Sequence, residues 1–141
     1  MHYRQLGNSN LNVSVLCLGT MMFGDQTPRD EAAAILADAH EHGVNFIDTA
    51  DVYSKGGSET MLGELLTDSG RSRHDWLLAT KLGNSMSQRA NEGHYSRSWM
   101  LREVEASLTL LRTDFVDILY LHRDYNGMNL EEPLRALDTM L

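Results

Sequence analysis

The sequence predicts an α/β fold built on a parallel sheet, and three observations support this. Four short apolar runs, β-branched or aromatic in part, recur along the chain and are typical of buried strands. A helical pattern fills each gap between runs, and strands that alternate with helices form a parallel sheet with right-handed crossovers. Each run ends directly in a polar or small residue. The pattern alone does not distinguish a closed barrel from an open doubly wound sheet.

The first segment of the chain predicts a small hairpin. Residues 3–6 and 11–13 flank the sequence Gly7-Asn8-Ser9-Asn10, and Gly and Asn are residues that tight hairpin turns prefer. This hairpin precedes the first of the apolar runs and stands apart from the repeating pattern.

The four apolar runs are the predicted strands of the sheet. They are Val15–Leu18, Val44–Ile47, Trp76–Ala79 and Phe115–Leu121. The residues that close them, in the same order, are Gly19-Thr20, Asp48, Thr80-Lys81 and His122. Cys17 lies inside the first run, which predicts a buried and unreactive thiol.

Helices are predicted in the gaps between the strands. In the first, Thr27 provides a capping hydroxyl, Pro28 takes the first helical position and Gly43 is a C-terminal stop. The second is predicted over Ser58–Thr67, where leucine and methionine fall on one side.

The third helix has the clearest period in the sequence. Its predicted buried face, with the 3-4-3 spacing of one helix side, is Leu101, Val104, Leu108 and Leu111. Ser96 or Ser98 is the predicted cap. A fourth helical pattern begins near Leu130 and still continues at Leu141.

Length, charge and cysteine content restrict the class of protein. The 141 residues are about the size of one domain, and 42% of them are hydrophobic, enough for a buried core. With 20 acidic against 12 basic residues, the net charge of −8 argues against a nucleic-acid or anionic-membrane partner. One cysteine excludes an internal disulfide. Together with the lack of a secretion signal or a membrane-length apolar run, it predicts a cytoplasmic location.

The polar residues that follow the strands form the candidate site. In parallel α/β folds the C-terminal ends of the strands lie on one face, so Thr20, Asp48, Lys81 and His122 should converge. Tyr53 lies five residues beyond Asp48 in the same loop. The sequence offers no serine nucleophile beside a base, no metal-ligand spacing and no Walker-type glycine loop.

These residue types suit proton transfer to a carbonyl group. A phenol is normally a weak acid, and a nearby ammonium group favours its ionised form. Lys81, held by an ion pair with Asp48, would provide that charge beside Tyr53. His122 would polarise or orient the carbonyl oxygen through a second hydrogen bond. The set contains an acid and charged groups but no nucleophile. This indicates that a cofactor supplies the reacting group, such as a hydride.

At these residues the sequence resembles the aldo-keto reductase family, over essentially the whole chain. The similar segments are Leu6–Ser14, Leu18–Gly24, Phe46–Tyr53, Gly57–Glu59, Leu62-Gly63, Ala79–Lys81 and Asp117–His122. Phe46–Tyr53 resembles the family's signature segment with its catalytic Asp and Tyr. Ala79–Lys81 and Asp117–His122 resemble the strands that carry its catalytic Lys and His.

The resemblance implies an NADPH-dependent oxidoreductase that reduces aldehydes or ketones on a TIM (β/α)8 barrel. It implies that Tyr53 is the general acid, that Lys81 and Asp48 tune it, and that His122 orients the substrate carbonyl. It further implies a set of residues against the nicotinamide end of the cofactor, namely Gly19, Thr20, Met21 and Asp48. No metal site is implied.

The length implies the N-terminal half of such a barrel. Family members are about twice as long, so residues 1–141 would hold the hairpin and the first four β/α units, ending within the fourth helix. In the family, later loops grip the pyrophosphate and 2′-phosphate of the cofactor. Uncovered strand edges would favour self-association. Two alternatives stay open: a cofactor-sensing regulatory protein like the family's channel subunits, and an inactive half barrel.

Overall fold

The computed structural model describes all 141 residues and is an α/β structure. The strands are β1 (Tyr3–Gln5), β2 (Asn12–Ser14), β3 (Leu18–Gly19), β4 (Phe46–Asp48), β5 (Leu77–Leu82) and β6 (Ile118–Leu121). The helices are α1 (Arg29–Glu41), α2 (Gly57–Asp68), α3 (Arg97–Leu111) and α4 (Glu131–Met140), with 3-10 turns at Tyr53–Gly56 and Arg73–Asp75. The four-stranded sheet is parallel, as the alternating pattern predicts, and its strand order is β3-β4-β5-β6.

The predicted hairpin forms from β1 and β2, which pair antiparallel with Tyr3 opposite Ser14. Asn45, directly before β4, fastens the hairpin to the sheet. Its side-chain oxygen accepts a 2.7 Å hydrogen bond from the Ser14 N–H, and its side-chain nitrogen donates to the Asn12 carbonyl at 3.0 Å. The hairpin is therefore held at the end of the sheet opposite the candidate site.

The first strand differs from its prediction. Instead of spanning residues 15–18, β3 comprises only Leu18 and Gly19, and Val15, Leu16 and Cys17 are exposed. The reason is that β3 is an edge strand, which pairs with β4 alone. Val15 and Leu16 keep about half of their surface exposed, at 47% and 60%, so the apolar run is not a buried one.

The other strands shift at their ends. Lys81 lies inside β5 rather than after it, because β6 continues to pair with β5 as far as Leu82. In contrast, β6 begins at Ile118 rather than at Phe115, because the Phe115 carbonyl accepts a hydrogen bond from Arg73 at 3.1 Å.

The start of α1 also differs from its prediction. Pro28 is the N-cap residue, and the Thr27 hydroxyl makes no capping hydrogen bond. The Thr27 N–H instead donates to the Met22 carbonyl at 3.0 Å, which ties Thr27 to the loop before the helix. The predicted stop is confirmed, since Gly43 has φ +80°, a backbone conformation that glycine adopts without strain.

The buried face of α3 is rotated by about one residue from the predicted one. Val104 and Leu111 are buried as expected, whereas Leu101 and Leu108 are half-buried. Met100 and Ser107 occupy the buried positions beside them. Ser96 is the N-cap residue by position, but its hydroxyl makes no capping hydrogen bond.

The core lies between the helices and one face of the sheet. Its fully buried members on the sheet include Ile47, Leu78 and Leu82. Side chains alternate along a strand, so residues one position away point to the opposite face. That opposite face is not covered by helices. We call it the open face and define it by Gly19, Phe46, Asp48, Lys81 and Tyr120, which are exposed or half-buried.

None of the four helices is both long enough and apolar enough to cross a lipid bilayer.

Candidate active site

The Lys81 ammonium lies at the centre of the candidate site. Its nitrogen donates to the Asp48 carboxylate at 2.6 Å, to the Thr49 carbonyl at 2.8 Å and to the Tyr53 hydroxyl at 3.1 Å. An ammonium group has three donors, so all of them are used. The structure therefore joins Asp48, Tyr53 and Lys81, which come from β4, the following loop and β5.

His122 completes the predicted set. It follows β6 directly, and its backbone N–H donates to the Leu82 carbonyl at 2.9 Å, so the sheet pairing extends to this residue. Its ring lies edge-on to that of Tyr53, with 5.8 Å between the ring centroids and an interplanar angle of 85°. The convergence predicted from the strand ends is thus confirmed for Asp48, Lys81 and His122, with Tyr53 between them.

The loop after β4 places Tyr53 over this end of the sheet. The Thr49 N–H donates to the Ala79 carbonyl at 2.9 Å, and the Asp51 N–H donates to the Lys81 carbonyl at 3.0 Å. The ladder of sheet hydrogen bonds therefore continues past β4 almost to Tyr53. Ser54 then adopts φ +50°, and its hydroxyl donates to the Phe23 carbonyl at 3.0 Å, which fixes the turn.

The charge states of Lys81 and His122 follow from their surroundings. Burial disfavours the Lys81 ammonium, but the hydrogen bonds with Asp48 and Tyr53 outweigh it and raise its pKa. Burial, together with the positive charges of Lys81 and Arg123, lowers the pKa of His122. At neutral pH the site thus contains a charged ammonium and a neutral imidazole.

The four residues implied for cofactor contact divide into two kinds. Gly19 and Asp48 are register partners on the open face, and a Cβ atom at Gly19 would meet no atom within 4 Å. The Met21 side chain is 52% exposed. Thr20, however, is fully buried, and its hydroxyl contacts the Asp48 carbonyl at 3.2 Å and the Ser58 hydroxyl at 2.9 Å. Its side chain is therefore directed into the core. Its backbone N–H donates to the Asp48 carbonyl and its own carbonyl accepts from Phe23 and Ser58, so the residue is closed to a ligand in this structure.

A buried polar network behind the strand ends was not predicted from the sequence. The Ser58 hydroxyl donates to the Thr20 carbonyl at 2.7 Å and lies 3.0 Å from the Thr49 hydroxyl. The Thr80 hydroxyl donates to the Glu59 carboxyl at 2.6 Å. Burial raises the pKa of Glu59 against the hydrogen bonds from Thr80 and Ser107. The first turn of α2 thus fastens β3, β4 and β5 beside the candidate site.

Two tyrosines fix the loops that follow β5 and β6. The Tyr95 hydroxyl donates to the Arg123 carbonyl at 2.7 Å and accepts from its N–H at 3.0 Å. The Tyr125 hydroxyl donates to the Gly83 carbonyl at 2.9 Å. Gly83 has φ +114°, and a Cβ atom there would overlap the Tyr95 ring. These contacts hold Gly83 and Arg123, which lie close to Lys81 and His122 in the chain, in place.

The sequence predicts a buried and unreactive Cys17; the structure shows it exposed, but its thiol is still unreactive. The residue is exposed, because it precedes the short edge strand β3. Partial desolvation of the thiol and the negative charge of Asp48 raise the pKa of Cys17 to about 11. The thiol therefore stays protonated at neutral pH and is a poor nucleophile.

Fold and site together define a family. The family model described as the aldo/keto reductase family matches residues 15–141, and the chain belongs to that family. It is similar to the solved holo form of the aldo-keto reductase AKR11C1 from Bacillus halodurans, with a TM-score of 0.87 and 35% identity over 99% of this chain and 46% of that one. The architecture is accordingly that of a TIM barrel, of which these residues form a partial half barrel.

Curated relatives match along the whole chain. It is 37% identical over 143 residues to a Bacillus subtilis protein named uncharacterized oxidoreductase YqkF, covering 99% of this chain and 45% of the relative. It is also 37% identical over 142 residues to an Arabidopsis thaliana protein named probable voltage-gated potassium channel subunit beta, covering 100% of this chain and 43% of the relative. The chain thus spans less than half the length of these relatives. Its membership of the family supports oxidoreductase as the class of protein.

Proposed function

We propose that the protein is an NADPH-dependent oxidoreductase that reduces aldehydes or ketones to alcohols, with Tyr53 as the general acid. The observation that carries this proposal is the Lys81 ammonium, which lies within hydrogen-bond distance of both the Asp48 carboxylate and the Tyr53 hydroxyl. Family membership and the oxidoreductase relative add support for this class of reaction.

The residues present fit a nicotinamide cofactor. On the open face, Gly19 offers uncrowded backbone beside the Asp48 carboxylate, and Met21 is exposed two residues beyond Gly19, so these positions are open to a flat ring. Thr20 would contribute indirectly, because its hydrogen bonds hold the end of β3 beside Asp48. When bound, the reduced nicotinamide supplies the hydride that is added to the carbonyl carbon.

The protein's own part in the reaction is to provide a proton and to orient the carbonyl. The Tyr53 O–H gives its proton to the carbonyl oxygen, which together with the hydride completes the alcohol. The Lys81 ammonium stabilises the phenolate that forms, and Asp48 holds Lys81 in position. His122 has a lowered pKa and is a neutral imidazole, so it directs the carbonyl by a hydrogen bond rather than by charge.

The test is oxidation of NADPH by the complete polypeptide with a broad aldehyde such as 4-nitrobenzaldehyde. Tyr53→Phe keeps the ring but removes the proton, and kcat is expected to fall at least 100-fold. Tyr3→Phe is the matched control, since Tyr3 lies in the hairpin at the opposite end of the sheet and its hydroxyl donates to the Gly43 carbonyl, and its rate should stay within about twofold of wild type. A Tyr53→Phe variant with full activity would refute the assignment.

A second candidate function is nicotinamide-cofactor sensing without meaningful turnover. The observation that favours it is the 37% identity to the plant proteins named as probable channel beta subunits. In this case the same residues bind the cofactor and the protein regulates a partner. Tight NADPH binding, negligible turnover over a wide panel of carbonyl compounds and capture of a partner would support this candidate over the first.

A further inference from the structure

Asp51 stands between the two residues that the proposed reaction uses in this loop, Asp48 and Tyr53. It does not belong to the open face, because it is only 2% exposed. Its backbone N–H donates to the Lys81 carbonyl at 3.0 Å, which is the last bond of the ladder between this loop and β5. Its carboxyl oxygen Oδ1 accepts from the Val52 N–H at 2.5 Å.

The two hydrogen bonds of Asp51 connect the parts of the site that must meet. One bond reaches the backbone of Lys81, whose ammonium contacts the Tyr53 hydroxyl at 3.1 Å. The other sets the chain direction at Val52, directly before Tyr53. The bond to Lys81 is made by the Asp51 backbone and persists with any side chain that keeps the N–H, so a change of the carboxyl acts on the loop through Val52 without touching the ammonium or the phenol.

The burial of this carboxyl is energetically unfavourable. Its second oxygen, Oδ2, is buried and has no hydrogen-bond partner, and the same is true of Oε2 of Glu59. Burial raises the pKa of Asp51 to about 7, with Glu59 of α2 and Glu103 of α3 adding to the effect and the Val52 and Gly83 N–H groups opposing it. A buried carboxyl with an unpartnered oxygen, in the loop between Asp48 and Tyr53, indicates a specific role beside the site.

We infer that Asp51 is a positioning residue: its carboxyl fixes the chain direction at Val52, directly before Tyr53, in the loop that the backbone ties to the strand carrying Lys81. This inference rests on the proposed function for its catalytic consequence, but its structural part stands by itself. Asp51 acts through the backbone of its neighbours and does not contact the reacting atoms. Misplacement of a catalytic group by about 1 Å is enough to cost one to two orders of magnitude in rate.

The test compares Asp51→Ala with Asp51→Asn in the complete polypeptide. Asparagine retains an oxygen that accepts from the Val52 N–H, whereas alanine removes it. We expect Asp51→Ala to lower kcat for NADPH-dependent aldehyde reduction about tenfold, with both KM values within about twofold. Asp51→Asn should stay within about threefold of the wild-type kcat. Asp114→Ala, an exposed carboxyl in the loop before β6, is the matched control and should be unchanged.

A second measurement does not depend on turnover. Amide hydrogen exchange over residues 49–53 should be at least tenfold faster in Asp51→Ala than in wild type, while exchange in α1 is unchanged. Unchanged exchange and unchanged kcat in Asp51→Ala would overturn the inference. So would an asparagine variant as slow as the alanine variant, because the hydrogen bond would then not be the cause.

The two proposals can fail separately. Absence of aldehyde reduction in the wild-type protein refutes the proposed function, and the exchange measurement then still decides the role of Asp51. A wild-type protein that reduces aldehydes, with an Asp51→Ala variant equal to it in rate and exchange, refutes only the positioning role.

Discussion

Lys81 shows how much of the site depends on one side chain. Its three ammonium donors are used by Asp48, Thr49 and Tyr53, and its own carbonyl accepts from Asp51. The residue thus joins β4, the loop after it and β5. Because the ammonium is only partly exposed, the ion pair with Asp48 is less screened by water than a surface pair is.

Replacement of Lys81 by methionine should separate the effect of the positive charge from the effect of side-chain size. Lys81→Met keeps an unbranched chain but removes the ammonium that stabilises the phenolate, so kcat for aldehyde reduction is expected to fall at least 100-fold. Steady-state kinetics with NADPH measures it. The chain's other lysine provides the control, since Lys55→Met at an exposed position should remain within about twofold of wild type. A Lys81→Met variant retaining a third of the activity would contradict the role.

Asp51 also predicts how stability depends on pH. Its pKa is raised to about 7 in the folded protein, against about 4 for an unfolded aspartate. Between these values the folded state retains a proton that the unfolded state has lost, so this residue makes the free energy of unfolding decrease as pH rises. Asp51→Asn should therefore reduce the loss of stability between pH 5 and pH 8 by roughly 2 kcal/mol.

Urea denaturation at the two pH values measures this effect. His122 acts in the opposite direction, because its lowered pKa favours the folded state as pH rises past the imidazole's usual range. It is unchanged in the variant, so its contribution cancels in the comparison. Asp114→Asn should show the wild-type dependence. An Asp51→Asn variant with that same dependence would show that Asp51 does not titrate in this window.

At the scale of the elements, the contact between α2 and α3 depends on Gly63. A Cβ atom at this position would lie 2.3 Å from the Leu110 carbonyl oxygen and 2.7 Å from the Leu111 carbonyl carbon. These are backbone atoms, so no side-chain rotation relieves the overlap. The glycine lets the end of α3 pass directly over α2, and α2 in turn fastens the strand ends beside the site.

Gly63→Ala is therefore expected to destabilise the protein by about 2–4 kcal/mol. By helix propensity alone alanine would be favoured by about 1 kcal/mol, so the sign of the effect distinguishes packing from propensity. Thermal or urea unfolding gives the measurement, and Thr67→Ala on the exposed side of α2 should change stability by less than about 1 kcal/mol. Stabilisation by Gly63→Ala would rule out the close contact.

The elements also show what a sequence can and cannot predict. Asp48, Lys81 and His122 could be placed together because each lies at or just beyond the end of an apolar run, and parallel strands bring such ends to one edge. The inward direction of the Thr20 side chain follows from the alternation of side chains along a strand, once Gly19 is known to pair with Asp48. That strand register is set by tertiary contacts and could not be predicted from the sequence. The rotation of α3 has the same origin: packing against Leu82 of β5 and Ala136 of α4 selects Met100, and the hydrogen bond with Glu59 of α2 selects Ser107.

At the scale of the whole molecule, the open face and the two free edges are the prominent features. The strands β3 and β6 each have a single neighbour, and Val15, Leu16 and Tyr120 are exposed apolar side chains near them. Unpaired edges and contiguous apolar surface favour association. We propose that a polypeptide of these 141 residues alone self-associates through these edges, and that it binds NADPH negligibly.

Light scattering and a fluorescence titration test these two expectations. Association should appear as a mass above 15.9 kDa that increases with concentration. A monomer with a cooperative thermal transition would contradict the first expectation. A dissociation constant for NADPH below about 1 µM would contradict the second, and it would mean that the open face alone binds the cofactor.

The strand order has a consequence for synthesis on the ribosome. Each strand of the sheet pairs with the one made immediately before it, in the order β3, β4, β5, β6. The chain can therefore add one β/α unit at a time as it emerges, without waiting for a distant partner. The hydrogen bonds among Asp48, Tyr53 and Lys81 need nothing beyond Leu82, and His122 arrives one unit later. The strand order thus allows the reactive groups to come together in the order in which they are translated.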